Sequence, residues 1–320
     1  MQPGDGADPY DFQPGDKVGP YLLAEPVGAG GMAEVFVVQH PALGRRALKI
    51  LKRKSHRDEE CRRRFVQDAE LAFGLVHPNI VRIFDVEGQA EPPYIDMELV
   101  EGRSLDELLR ERGRLEVGEA ARIARGIASA LAAAHKKGIV HRDVKPSNVL
   151  IETETGTPKL IDFGAARRDR PDGAGLTQAG QAPGTPRYMA PEQIDPERGA
   201  VGPHTDLWAL GATLYEMLAG RYAFPGDNSV LVQSSILRET PAALTPLRPE
   251  VPAPLADLLE RLLTRDPAAR PADAASVARE LEPFAAPQAP EPPVPAPLPE
   301  PRPEKGTVPA GGTPSPVPGP

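Results

Sequence analysis

Three polar residues in the middle of the chain have types and a spacing suited to group-transfer chemistry. Asp143, Lys145 and Asn148 lie within one short segment that follows the apolar pair at 139–140. At this spacing a carboxylate, an ammonium and an amide could meet one substrate hydroxyl, one phosphate and one metal ion. Asp162 follows fourteen residues after Asn148 and places a second carboxylate on a predicted turn. The set is poorly explained as solvated surface charges.

A glycine-rich turn near the amino-terminal end is a second candidate feature. Gly28 and Gly30 lie between two predicted strands, and Val27 and Val35 flank the turn. Glycines allow backbone N–H groups to approach a polyphosphate closely, because no Cβ intervenes. The turn alone is equally consistent with an ordinary hairpin. It is not a dinucleotide fingerprint, since that motif requires a helix where a strand follows here.

Lys49 strengthens the case for a nucleotide site, because it lies inside an apolar strand downstream of the glycines. Side chains alternate along a strand, so Ala47 and Lys49 are expected on the same face. A small side chain beside an inward-facing ammonium suits a flat base with its phosphates just beyond. The alternative is a lysine on the solvated face of an edge strand.

The elements that must position these residues change character along the chain. Short apolar segments separated by Gly and Pro predict strands, and a charged segment between them predicts a helix. After Gly102 the pattern becomes helical, beginning with a capping box at Ser104 and Glu107. A strand-rich small lobe followed by a helix-rich large lobe is an α+β arrangement. The predicted strands are 21–27, 34–39, 46–51, 80–86 and 94–99, and the predicted helices are 58–76, 117–137, 207–219 and 255–263.

Proline is unevenly distributed and sets the predicted boundaries. Many of the 40 prolines occur after Pro283, where the chain cannot form strand ladders or a buried core. Residues 285–320 are therefore expected to be a disordered tail, and residues 1–16 a loose arm. The folded unit is expected at 17–284, with a small lobe at about 17–97 and a large lobe at about 101–284.

Charge, cysteine content and hydropathy exclude several classes of function. The net charge of −8 leaves no basic stripe for a nucleic acid. Cys61 is the only cysteine, which rules out an internal disulfide and fits a reducing compartment. No apolar run is long enough to span a bilayer. The sequence predicts a soluble, cytoplasmic protein without a membrane span.

These motifs resemble the protein kinase family, and more closely its bacterial branch of eukaryotic-like serine/threonine kinases. The resemblance extends from Tyr21 to about Glu282, and the segments 184–193 and 206–211 are typical of that branch. It implies a bilobal kinase-like fold and transfer of the γ-phosphoryl group of ATP, with Mg²⁺ or Mn²⁺, to serine or threonine hydroxyls of proteins. It also implies autophosphorylation and a possible homodimer formed by the small lobes.

The resemblance implies a role for each catalytic residue. Asp143 would orient the attacking hydroxyl and accept its proton, Lys145 would steady the γ-phosphoryl group, and Lys49 would hold the α- and β-phosphates. Asn148 and Asp162 would bind the two metal ions through oxygen ligands. The implied nucleotide site, with Met97 as gatekeeper, comprises Val27, Gly28, Gly30, Val35, Ala47, Lys49, Met97, Glu98, Val100 and Leu150.

Four further residues have implied structural roles. Asp206 would brace the catalytic loop from beneath, and Glu192 would pair with Arg270. Thr185 fits the family's threonine that bonds to the base and the lysine. Lys145 and Thr185 favour serine or threonine over tyrosine as the acceptor, and the segment 184–192 favours proteins over small molecules.

The sequence departs from the family pattern in the helix before His77. The glutamate that normally pairs with the strand lysine lies nine residues before this histidine, and here that position is Asp68. At about 100° per residue, Asp68 borders the apolar face of the helix, whereas Glu70 points roughly opposite to it. Asp68 is the expected partner of Lys49, and pairing with Glu70 or no pair remain alternatives. That face comprises Phe65, Ala69, Ala72 and Val76.

Other sequence features leave regulation and one buried-strand residue open. Thr177 is the expected autophosphorylation site, with Arg142 as the partner of its phosphate; a loop threonine without a regulatory role is the alternative. Asp96 interrupts an apolar strand and is expected to point outward. Two other functions remain possible: an ATP-binding pseudokinase scaffold, favoured only by Asp68, and an interaction module built around the proline-rich tail.

Overall fold

Four stretches of the chain are described by the computed structural model: residues 11–40, 44–163, 167–168 and 186–285, with backbone alone for 167–168. They form a small lobe built on one sheet and a larger helical lobe, which is the predicted α+β arrangement. In the described residues, no helix has both the length and the apolar character that a membrane crossing requires.

The small lobe is an antiparallel six-stranded sheet with the strand order β1-β2-β3-β4-β6-β5. The side chains of directly paired residues point to the same side of the sheet, so each pair can be assigned to one of its two faces. The face toward the large lobe carries Val35 opposite Lys49, and Ala47 opposite Met97. Ala47 and Lys49 therefore share the face that the strand pattern predicts. The strands are β1 (Lys17–Val18), β2 (Tyr21–Ala29), β3 (Ala33–His40), β4 (Gly44–Leu51), β5 (Ile83–Glu87) and β6 (Tyr94–Met97).

The helix expected beside this sheet begins within one residue of its predicted start and ends four residues before its predicted end. After a short helix α1 (Arg53–His56), helix α2 spans Glu59–Ala72, and the Asp58 side chain caps its first turn. Its buried residues are Phe65, Ala69 and Ala72, which agrees with the predicted apolar face. Val76 lies beyond the helix and is 74% exposed, so the face is shorter than the pattern indicates.

The opposite face of the sheet is covered by the residues that precede β1. Phe12 is only 4% exposed, and the amide of Gly15 donates to the carbonyl of Leu23 at 2.8 Å. Residues 11–16 are therefore part of the small lobe and not of a loose arm. The reason is tertiary: Phe12 fits an apolar surface that is assembled only when the sheet forms. That cluster comprises Phe12, Val18, Tyr21, Leu23, Phe36, Val38, Leu48, Ile50 and Tyr94.

Asp96 lies on the same covered face, which corrects the expectation that it points outward. It is 2% exposed and accepts a hydrogen bond from the hydroxyl of Tyr21 at 3.0 Å. Burial raises the pKa of the Asp96 carboxyl, and Asp85 raises it further, while Tyr21, Arg46 and His40 lower it. An ionised carboxylate here is therefore disfavoured relative to one in water.

Asp96→Asn should remove a pH dependence of stability. A carboxyl with a raised folded pKa stabilises most below its unfolded pKa, near 3.9, and this stabilisation is lost as the pH rises through the folded value. We expect the unfolding free energy of the wild type to fall relative to Asp96→Asn between about pH 4 and neutrality. Urea unfolding at several pH values measures this, with the exposed Asp257→Asn as control. A difference in unfolding free energy between the wild type and Asp96→Asn that does not vary with pH would contradict this prediction.

The large lobe is organised around two buried helices. Helix α6 (Pro203–Ala219) is buried along almost its whole length, and α4 (Val117–His135) packs against it and against α10 (Ala274–Leu281). The predicted capping box is present at the start of α3 (Leu105–Arg112): Ser104 and Glu107 each accept the other's amide. The remaining helices are α5 (Pro191–Ile194), α7 (Ser229–Arg238), α8 (Leu244–Leu247) and α9 (Ala253–Leu262).

Two small sheets position the loop with the candidate catalytic residues. One has the order β10-β9-β7, and the other pairs β8 with β11. The loop 141–148 connects β8 to β9, so both of its ends are fixed by strands at the edge of the helical lobe. These strands are β7 (Gly102–Ser104), β8 (Ile139–Val140), β9 (Val149–Glu152), β10 (Pro158–Leu160) and β11 (Arg167–Arg168).

Candidate active site

The loop between β8 and β9 brings Asp143, Lys145 and Asn148 into direct contact. The Lys145 ammonium lies 2.7 Å from Oδ2 of Asp143. The Asn148 side-chain amide donates to that same oxygen at 3.0 Å and to the Asp143 carbonyl at 2.8 Å. Among the described residues, none donates to Oδ1 of Asp143, and the side chain is 44% exposed. One carboxylate oxygen is thus held in place while the other can reach a substrate.

Asp206 holds this loop from the core of the large lobe. It lies in α6, is fully buried, and accepts the amide of Arg142 at 2.7 Å and the amide of His141 at 2.9 Å. His135 Nε2 lies 2.8 Å from its Oδ2. Arg142 has a φ of 67°, a conformation that L-residues adopt only when the surroundings enforce it. The bonds from Asp206 provide that constraint, which places the next residue, Asp143.

His141 links the loop to the segment that contains Asp162, and the sequence reasoning did not single it out. It is fully buried, and its Nδ1 accepts the Asp143 amide at 3.3 Å. Its Nε2 lies 3.2 Å from the carbonyl of Ile161, and its ring centroid is 4.6 Å from that of Phe163. Its position two residues before Asp143 is the available signal in the sequence, but its contacts depend on a distant segment.

Lys49 and Asp162 connect the two lobes at the site. The ammonium of Lys49 lies 2.9 Å from Oδ1 of Asp162. Asp162 has a φ of 60°, and the amide of its neighbour Ile161 donates to the carbonyl of Asn148 at 2.9 Å. Lys49 thus contacts Asp162, Asn148 contacts Asp143, and the backbone bond of Ile161 joins these two pairs.

The acidic partner that the sequence assigns to Lys49 from α2 remains a prediction. Asp68 is half-buried on this helix, whereas Glu70 is exposed, as the helical geometry predicts. The hydrogen bond described for Lys49 joins it to Asp162. Asp68 therefore lies on the better-placed side of the helix, and its pairing with Lys49 is a hypothesis for the nucleotide-bound protein.

The residues expected around a nucleotide base come from the sheet and its glycine-rich turn, from the connection to the large lobe and, for Leu150, from β9. Ala47 is 4% exposed beside Met97, and Val35 follows the turn with Gly28 paired to it. Val27, in β2, is 55% exposed. Gly30, Val100 and Leu150 complete the set; Val100 and Leu150 are half-buried.

Glu98, at the connection between the lobes, has its backbone amide already engaged. This amide donates to the carbonyl of Arg82 at 2.8 Å. The carboxylate lies 2.8 Å from the ammonium of Lys159 in β10 and accepts the amide of Arg82 at 3.1 Å. The carbonyl oxygen of Glu98 is therefore the group at this residue that can meet the edge of a base.

The donor set at the catalytic loop fits a hard divalent cation. Asn148 uses its side-chain nitrogen to contact Asp143, which leaves its amide oxygen as a ligand. The Asp162 carboxylate is 45% exposed and lies on the segment bonded to the Asn148 backbone. Carboxylate and amide oxygens are the ligands that Mg²⁺ and Mn²⁺ accept in proteins.

Glu192 and Arg270 form a buried ion pair below the site, as the sequence leads one to expect. Both side chains are fully buried, and two parallel hydrogen bonds of 2.7 and 2.8 Å join the guanidinium to the carboxylate. The hydroxyl of Thr205 adds a third bond to Glu192 at 2.9 Å. The remaining expected residues, Thr177 and Thr185, lie outside the described residues, as does the segment 286–320.

Comparisons with known proteins identify the family of this chain. The model of the protein kinase domain family matches residues 21–281. A probable serine/threonine-protein kinase of Clostridium perfringens is 37% identical over 264 residues, which cover 82% of this chain and 38% of that protein. The serine/threonine-protein kinase PknA of Mycobacterium tuberculosis is 37% identical over 258 residues, with coverage of 79% and 58%. The chain thus spans less than two thirds of these relatives' length.

Among solved structures, the kinase domain of Mycobacterium tuberculosis PknI superposes with a TM-score of 0.66. It is 30% identical, and the match covers 86% of this chain and 100% of that one. Because the family model matches most of the chain, the chain belongs to the protein kinase domain family.

Proposed function

We propose that this chain transfers the γ-phosphoryl group of ATP to serine or threonine hydroxyls of proteins. The observation that carries the proposal is the pairing of Lys49 with Asp162 and of Asn148 with Asp143, two pairs that the backbone bond from Ile161 to Asn148 joins. This arrangement supports the proposal, because the chemistry needs a cation for phosphates, oxygen ligands for a metal ion and a carboxylate for a hydroxyl close together. The names of the relatives in Clostridium perfringens and Mycobacterium tuberculosis support the same activity.

In this proposal the protein acts by positioning and by neutralising charge. Oδ1 of Asp143 accepts a hydrogen bond from the incoming hydroxyl and takes its proton as the hydroxyl oxygen bonds to the γ-phosphorus. The bond from that phosphorus to the β–γ bridging oxygen breaks, and ADP leaves. Lys145 steadies the transferred group, and Lys49 exchanges its contact with Asp162 for the nucleotide phosphates. Asn148 and Asp162 would hold Mg²⁺ or Mn²⁺, which would supply positive charge to neutralise the phosphates.

The acceptor class and the regulation belong to the same proposal. Lys145 lies two residues after the general base Asp143, which supports serine or threonine as the acceptor. Thr185 would form hydrogen bonds to both Asp143 and Lys145. Thr177 would be the autophosphorylated residue, and its phosphate would pair with Arg142. We place the activity in the cytoplasm, where ATP and a reducing environment occur together, with protein substrates and a second copy of the chain as partners.

Phosphate mapping tests the proposal. The purified chain is incubated with Mg²⁺, labelled ATP and a generic acceptor protein, and labelled sites are identified by mass spectrometry. We expect label on the acceptor and on Thr177; Thr177→Ala should lose most of the autophosphorylation, whereas the tail control Thr313→Ala should not. ATP binding without any labelled product would instead support the pseudokinase scaffold.

Asp68→Glu tests the one feature that favours the pseudokinase. The added methylene lengthens the carboxylate's reach toward Lys49, so we expect kcat to be unchanged or raised by up to about tenfold. Steady-state kinetics measure this, with the exposed Glu70→Asp on the same helix as control. Loss of activity in a folded Asp68→Glu protein would show that Asp68 does not occupy the position of the pairing residue.

A further inference from the structure

A buried carboxylate directly after the glycine-rich turn is not used by the proposed chemistry. Glu34 is the second residue of β3 and is fully buried on the face of the sheet away from the cleft. The amide of Asp11 donates to its Oε1 at 2.6 Å, and the amide of Phe12 lies 3.3 Å from its Oε2. The ammonium of Lys52 is 3.8 Å away. The amino-terminal segment thus supplies two of the groups that compensate this charge.

The same segment is fastened on its other side. Oδ2 of Asp11 accepts the amide of Arg53 at 2.8 Å, where β4 passes into α1. The Phe12 side chain is buried in the outer face of the sheet, and the Arg53 guanidinium lies 5.1 Å from its ring centroid. Asp11 and Phe12 therefore bridge the start of β3 and the end of β4. We call residues 11–12 the strap.

Glu34 lies so close to the glycine-rich turn that a displacement of Glu34 would also move the turn. Its neighbour Ala33 closes the turn, because the amide of Gly30 donates to the Ala33 carbonyl at 2.8 Å. Its other neighbour, Val35, lies opposite Lys49 on the cleft face. The amide of Lys52 also donates to the carbonyl of Met32 in the turn at 2.9 Å. Strap, turn and phosphate-binding lysine are therefore connected through two adjacent strands.

We propose that the strap is a positioning element of the nucleotide site, which fixes the glycine-rich turn through Glu34. A buried carboxylate that loses its donors must regain solvent or pull in another cation, and either change shifts the start of β3. The strap would thereby set the affinity for ATP, although it lies on the far side of the sheet. This inference rests on the proposed nucleotide site.

The alternative is that the strap only stabilises the small lobe. Kinetics separate the two, because partial unfolding lowers the active fraction and hence the apparent kcat, while the KM of the folded molecules stays the same. A misplaced turn instead weakens ATP binding in folded molecules. Both KM for ATP and kcat must therefore be measured at a temperature where every variant is folded by circular dichroism.

The experiment compares three variants of the full chain with the wild type. Glu34→Gln keeps the shape but turns an acceptor into a donor facing the strap amides, and we expect the KM and Kd for ATP to rise about tenfold. Phe12→Ala should have the same effect by releasing the strap. The matched control is Glu25→Gln, an exposed glutamate of β2, which should match the wild type. The KM for the acceptor protein should stay unchanged throughout.

Two further measurements keep the test decisive. Phe12→Leu retains an apolar side chain at this position and should have the wild-type KM for ATP. This variant still allows a test of the strap if Phe12→Ala does not fold. Hydrogen exchange without nucleotide should be faster at the amide of Gly30 in Glu34→Gln than in Glu25→Gln, because that amide is bonded only when the turn is held.

The outcomes distinguish this inference from the function on which it rests. An unchanged KM for ATP and unchanged exchange at the turn in Glu34→Gln, in an active wild type, would overturn the role of the strap alone. Absence of ATP binding by the wild type would overturn the nucleotide site and the inference together. A raised KM with faster exchange at the turn supports the strap as a positioning element.

Discussion

Asp143→Asn should lower kcat by about 10²- to 10⁴-fold, the usual contribution of a positioned general base. The substituted side chain retains one oxygen, but its amide cannot accept the proton of the substrate hydroxyl. It also places an NH₂ group near the donors Lys145 and Asn148, which now meet at Oδ2. ATP affinity should change little, since Asp143 contacts none of the residues that are assigned to the adenine or to the α- and β-phosphates of ATP. Initial rates over a range of ATP and acceptor concentrations measure both quantities.

The matched control is Asp257→Asn, which makes the same chemical change at an exposed position on α9. It should have wild-type kinetics. If Asp143→Asn retained more than about a tenth of the wild-type kcat, Asp143 would not be the base, and the catalytic interpretation of the loop would be wrong. A parallel loss of ATP binding would instead indicate that the substitution had disordered the loop.

Arg270→Met should lower the free energy of unfolding by about 3–5 kcal/mol, because it leaves the carboxylate of Glu192 buried without its cation. Both side chains are fully buried, so solvent cannot replace the lost guanidinium. Arg270 also donates to the carbonyls of Thr264, His204 and Arg265, and these would lose a partner as well. Urea unfolding at neutral pH gives the change in free energy.

The comparison that isolates burial is Arg198→Met, which removes the guanidinium of an exposed pair with Asp195. That change should lower the free energy of unfolding by less than about 1 kcal/mol. The double variant Arg270→Met with Glu192→Met should be more stable than Arg270→Met alone, since no unpaired charge remains. Equal effects of Arg270→Met and Arg198→Met would contradict the argument from burial.

Local patterns in the sequence were sufficient for much of the small lobe and for several helix boundaries. The alternation around Lys49 predicted the face that it shares with Ala47, and the structure shows that face toward the cleft. The capping box at Ser104 marked the start of α3. These features could be predicted because strand alternation and helix capping depend on residues within a few positions of one another.

Other features depended on residues distant in the sequence and were missed or misjudged. The local sequence places Phe12 in a loose arm and indicates an outward-facing Asp96, whereas both residues are buried. Their burial requires the outer face of the sheet, which strands separated by many residues build together. Nothing in the local sequence indicates the role of His141, because its contacts reach Ile161 and Phe163, beyond the loop itself.

The sequence by itself determined the chemistry available to this protein: the carboxylates, amide and lysines of the site, their order along the chain and the family they resemble. Only the tertiary structure decided that Lys49 meets Asp162, that Asp206 holds Arg142 in a left-handed conformation, and that Glu34 is closed over by the strap. The physical reason is that each of these depends on burial or on a bond between segments far apart in the chain. A local sequence pattern contains no information on such burial or on such long-range bonds.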